Sequence, residues 1–115
     1  MKSYVGVRHP NEYKSKDAPL DTGDEAIVAV FEDGKLVGYL DPCLDLRQMS
    51  PTGLNWGYMG SGPAQLSLAL CVDILGRSET VVQNYHRIHK LISGQPIDGF
   101  VLSELTIRKF YNEGN

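Results

Sequence analysis

Cysteine is scarce: Cys43 and Cys71 are the only two in 115 residues. No CxxC pair and no Cys/His spacing of the zinc-site kind occurs, so no metal ligand set is expected. Both thiols read as free and reduced, Cys71 as a small core residue and Cys43 as a loop residue. No apolar run is long enough to span a bilayer. The longest, Leu66 to Leu75, is about half of the ~20 residues needed and carries Asp73. The opening MKSYVGVRHP lacks the apolar core of a signal peptide, which leads us to expect a cytoplasmic protein without membrane contact. A basic excess is also missing. Eleven Lys and Arg stand against fourteen Asp and Glu, net −3, which opposes nonspecific nucleic-acid binding. Walker, dinucleotide, nucleophile-elbow and metalloprotease motifs are absent.

Present is an ordinary globular composition, 42% hydrophobic and 22% charged, sized for one domain over residues 1–115. Ser3–His9 and Ala26–Glu32 have strand character. Asp33-Gly34 is a hairpin turn, and Leu36–Leu40 is the return strand. Residues 10–25 are polar, hold two prolines and are expected to form a mobile loop. Asp41 to Gly60 is irregular, and long irregular segments tend to be functional. A helix apolar all round, hence buried, starts near Pro63 and ends at Gly76. Ser78 caps a second helix expected to run to about Ser93. Residues 100–102 form a short strand, and Ser103 caps a last helix with Ile107 and Phe110 turned inward. The expected fold class is α+β: a small N-terminal antiparallel sheet packed on two long helices plus a short C-terminal helix.

The stretch SPTGLNWGYMGSGPAQLSLALCVDILG, with LDPCLDLR upstream and YHRIHK and DGFVLSELTI downstream, resembles domain-of-unknown-function family sixty-one sixty-six. The likeness covers roughly residues 26 to 112. It implies a phage, plasmid or other mobile-element setting and carries no assigned activity. Members of that family often have His near the position of Met49, so a mechanism needing that His is not expected here. A weaker likeness, in element order alone, is to small viral proteins that degrade cyclic oligoadenylate signals. Their catalytic His follows a glycine at the helix start, where this chain has Ser61 or Pro63.

The turn GYMGSGPAQ sets backbone N–H groups and a hydroxyl at a helix N-terminus, a setting that suits anions. The competing reading is a tight bend that delivers a buried helix, with Ser61 or Gly62 as its cap. Trp56 and Tyr58 have the spacing that puts both on one side of an extended strand. There they would either stack on a ring or pack under their own loop. Arg47 either reaches a ligand phosphate or pairs with Asp41 or Asp45 to pin the loop. The candidate ligand site is therefore Arg47, Trp56, Tyr58, Gly60, Ser61, Gly62 and Gln65. His86 and His89 lie one turn apart without an evident third metal ligand, and His89 reads as a core residue with a satisfied N–H. Arg87 and Lys90 fall on the wet face.

Three functions are expected in descending order. The first is a non-enzymatic protein that binds a phosphate-bearing small molecule, such as a signal nucleotide held as a counter-defence sponge. The second is an inhibitor or accessory protein acting on a host defence protein. The third is a cyclic-nucleotide phosphodiesterase using Asp41, Asp45 or the histidines. No catalytic residue, metal or cofactor is assigned, and a homo-oligomer stays open.

Overall fold

The computed structural model describes residues 1–9, 25–50 and 53–114. The expected loop at 10–25 lies outside them, apart from Glu25, which opens a strand. Strands β1 (Lys2–His9), β2 (Glu25–Glu32), β3 (Lys35–Tyr39) and β4 (Gly99–Ser103) form one antiparallel sheet in the order β3-β2-β1-β4. The β2–β3 turn has Asp33 at φ 53° and Gly34 at φ 84°. Two successive positive φ values match the right-handed twist of the flanking strands. The C-terminal strand β4 lies beside β1, with Val5 opposite Val101, so the sheet gains a fourth strand from the far end of the chain.

Alternation sends Tyr4, Val28, Val30, Phe100 and Leu102 to one face, where all are buried. Helix α1 (Ser61–Leu75) fills the layer beneath, buried at every residue from Gly62 to Val72. It is enclosed by the sheet on one side and by the remaining helices on the other. That explains why it is apolar all round. Gly76, at φ 95°, ends it by donating its N–H to the Val72 carbonyl.

The second helix begins as expected, with the Ser78 hydroxyl accepting from the Val81 N–H at 3.2 Å. It runs to Ser93 as expected, with a change of helical pitch on the way. Helix α2 (Glu79–Asn84) passes into a 3-10 turn at Tyr85–Ile88 and then into α3 (His89–Ser93). The Asn84 side-chain amide donates to the Thr80 carbonyl at 2.7 Å. This local bond competes with the helical ladder just before the pitch changes. Helix α4 (Glu104–Glu113) is capped by Ser103, whose hydroxyl accepts from the Thr106 N–H. Ile107 is buried as expected, but Phe110 is 43% exposed and faces a groove instead of the core.

Candidate functional site

The glycine turn is built by packing. Helix α1 starts after Gly60, with no side chain capping its first turn. The Asn55 N–H donates to the Gly62 carbonyl at 3.3 Å. A Cβ on Gly62 would lie 2.6 Å from the Asn55 Cβ and 3.0 Å from the Tyr58 hydroxyl, and one on Gly60 would meet the Tyr58 ring. The tyrosine therefore lies across the helix start. Trp56 and Tyr58 do not share a side. Gly57 between them has φ 87°, which breaks the strand alternation. Trp56 is wholly buried, packs edge-on against Phe100 and donates its indole N–H to the Pro96 carbonyl at 3.1 Å. Tyr58 stays 43% exposed. Gly60 and Ser61 remain accessible beside it.

Gln65 is also fully buried. Its Oε1 accepts from the N–H groups of Met49 and Ser50, and its Nε2 donates to the carbonyls of Pro42 and Arg47. One amide thus holds both ends of the 42–50 loop, and its bonding capacity is used within the protein. The Arg47 side chain lies over the Tyr85 ring, 5.9 Å from its centre. The expected pairing of Arg47 with the loop aspartates is not what forms. Arg77 reaches Asp45 at 2.7 Å and Asp41 at 3.9 Å. Its hydrogen bond holds the Asp45 carboxyl below the usual carboxylate range, which makes Asp45 a poor proton acceptor near neutrality.

Arg77, Asp41 and Asp73 rim a cavity of about 290 Å³ whose floor includes Cys43, Ala69 and Val72. Burial pushes the Cys43 thiol up, and pushes Cys71 up to about 12. Both are free thiols kept protonated, so neither is primed as a nucleophile. On the same helix the Tyr4 hydroxyl donates to Asp73 at 2.6 Å, and Lys2 pairs with it at 3.1 Å. Burial, then the Asp73 carboxylate, raise the Tyr4 phenol well above its ordinary value.

A larger groove, about 480 Å³, lies between the 3-10/α3 segment and α4. His86, Arg87 and Lys90 line it together with Leu91, Phe110 and Glu113. The Arg87 guanidinium donates to the Gly114 carbonyl and lies 5.4 Å from the Tyr111 ring centre. Its Nε is buried with no hydrogen-bond partner among the described residues, as is the Nε2 of the neighbouring His89. The satisfied N–H expected of His89 would therefore have to be at its other ring nitrogen. The groove combines cationic side chains with an open aromatic ring.

Sequence reading passed over this groove by assigning Arg87 and Lys90 to solvent. The signal was the spacing: 86, 87, 90 and 91 fall on one helical stripe. Arg8 was also missed. It shares the Tyr4 face of β1 and fixes the 55–56 backbone, donating to the Asn55 side chain and to the Trp56 carbonyl.

No helix among the described residues is long and apolar enough to cross a membrane. No curated protein and no solved structure matches the chain. One family model does, over residues 4–113, and its description is Family of unknown function (DUF6166). That span takes in nearly all of the sheet and the groove, the glycine turn and the loop held by Gln65, and on it the chain belongs to DUF6166.

Proposed function

We propose that the protein is a non-enzymatic binder of a phosphate-bearing small molecule, and that the ligand sits in the groove between the 3-10/α3 segment and α4. The observation that carries this is the lining of the groove, where His86, Arg87 and Lys90 stand together opposite Phe110. Guanidinium and ammonium groups hold the anion, and the exposed ring and Leu91 take an apolar or aromatic body. A nucleotide has both parts, and the groove's volume is in the range of small-molecule sites. Sequestering a signal nucleotide is the biological form of this reading. The glycine turn is the weaker place, because Trp56 and Gln65 are consumed by the core.

The test is calorimetry and thermal shift with inorganic phosphate, mononucleotides and cyclic di- and trinucleotides. A ligand at about a hundred times its Kd stabilises the fold by about 2.7 kcal/mol. Lys90→Glu and His86→Glu are exposed changes expected to abolish the shift and leave the apparent melting temperature of the free protein in place. Ser61→Asp is expected to leave binding intact. Loss of binding in Ser61→Asp alone would move the site to the glycine turn. A flat panel would remove the reading.

A further inference from the structure

The helices cover one face of the sheet, and the other face is apolar. Register aligns Val101, Val5, Ala29 and Tyr39 in one row across all four strands. Phe31 with Leu36, and Val7 with Ile27, make the flanking pairs. Val101 is 72% exposed, Tyr39 67% and Leu36 54%. Every outward position from Ser3 to Val7, Ile27 to Phe31 and Gly99 to Ser103 is uncharged. Most of the sheet's charges lie on the opposite side: Lys2, Arg8, Glu32 and Lys35 share the face of Tyr4 and Val30, and only Glu25, opposite His9 at one end of the β1–β2 pair, has an outward position. A solvated sheet face ordinarily carries the polar half of the alternation. Here the outer half is largely apolar as well.

We infer that this outer face is the interface of a homodimer, two sheets packed face to face with the helices outside. Four strands about 4.8 Å apart and about five residues long, at ~3.4 Å each, span about 330 Å² of sheet plane per copy. That is the size of the largest apolar patch on a typical monomer, about 300–600 Å², which is often functional. Glu25 at one end aside, the face offers no charge to pair with, so the partner surface that fits it is apolar as well. A second copy presents that surface, and a two-fold axis makes it self-complementary. Two such layers pack about 10 Å apart, as the halves of a β-sandwich do. The chain's own residues 10–24 are a poor cover by composition. Six of these fifteen residues are charged, Glu12, Lys14, Lys16, Asp17, Asp21 and Asp24, a composition that does not match an apolar surface.

Sedimentation equilibrium across a concentration series tests the inference on the full chain. The wild type is expected at twice 12.7 kDa. Val101→Lys, at an open edge position, is expected to give the monomer with its circular dichroism unchanged. Ala29→Lys, in the middle of the row, is expected to do the same. Leu105→Lys, an equally open position on α4 and 60% exposed, is expected to stay dimeric. A wild type that is monomeric at every concentration would overturn the inference and leave the face to residues 10–24 or to another protein. So would a dimer that Val101→Lys leaves intact. The readout is mass, so it is independent of whether the groove binds phosphate.

Discussion

The Arg8 guanidinium lies 4.5 Å from the centre of the Trp56 indole ring. The same group donates to the Ile97 and Trp56 carbonyls and to the Asn55 side chain. A strand residue thereby holds together the loop before α1 and the segment before β4. Arg8→Met keeps much of the stem but loses the planar charge and strands acceptors beneath the sheet. The expected cost is about 3 kcal/mol, from one cation–π contact and several charge-assisted bonds. Arg8→Lys recovers only part of it, because an ammonium cannot reproduce the fork. Urea denaturation followed by tryptophan emission reads this cleanly, since Trp56 is the one tryptophan. An unchanged midpoint in Arg8→Met would count against the role.

Gln65 ties α1 to the 42–50 loop through four backbone groups. Gln65→Leu fits the volume but leaves two N–H groups and two carbonyls without their partner. Buried unsatisfied groups cost ~1–3 kcal/mol each, less where water enters. The net loss is expected to be about 3 kcal/mol, with amide exchange rising first at Met49 and Ser50. If exchange there stayed protected, the loop would have another anchor.

Local chemistry was legible in the sequence, and long-range chemistry was not. The Asp33-Gly34 turn and the Ser78 and Ser103 caps involve neighbours a few residues apart, so residue type alone announces them. The buried α1 was legible from its unbroken apolar face. The 3-10 turn at Tyr85–Ile88 was not, because the same apolar spacing serves either pitch, and a local side-chain bond such as Asn84 to Thr80 competes with the ladder there. Trp56 and Tyr58 misled for a similar reason: alternation holds only while φ stays negative, and Gly57 does not keep it. Asp45 finds Arg77 across 32 residues, and nothing in the order of the chain favours that partner over nearby Arg47. The groove was missed because a basic stripe reads as a solvated face until α4 is laid beside it.

Acid should weaken the fold through Asp45 and Glu104. Both carboxyls are lowered from their ordinary values, 3.8 and 4.5. Arg77 is the chief cause for Asp45, and the Lys2 backbone N–H, then Arg108, for Glu104. A depressed folded pKa contributes stability that is complete above the unfolded value and is lost as pH falls through the folded one. The urea midpoint is therefore expected to fall below about pH 4.5. Glu104→Gln keeps an acceptor for the Lys2 N–H but carries no titrating charge. Its midpoint is expected to be lower at pH 7 and to depend less on pH below 4.5. An identical pH slope in the variant would assign the acid loss to other groups.

The two glycines at the start of α1 are expected to respond oppositely to alanine, though they stand two residues apart. A Cβ on Gly62 would sit 2.6 Å from the Asn55 Cβ, an atom fixed to backbone that is itself bonded to the Gly62 carbonyl. Neither side can give way, and Gly62→Ala is expected to cost about 2 kcal/mol. A Cβ on Gly60 would meet the Tyr58 ring at 2.7 Å, but that ring is the half-exposed end of a rotatable side chain. Gly60 itself has φ 173°, extended backbone that alanine adopts without strain. Gly60→Ala is therefore expected within about 0.5 kcal/mol of wild type. Adding Tyr58→Ala should remove what cost remains at Gly60 and little of the cost at Gly62. A double-mutant cycle by thermal denaturation checks both, and rescue of Gly62→Ala by Tyr58→Ala would show that the tyrosine, not Asn55, sets the limit there.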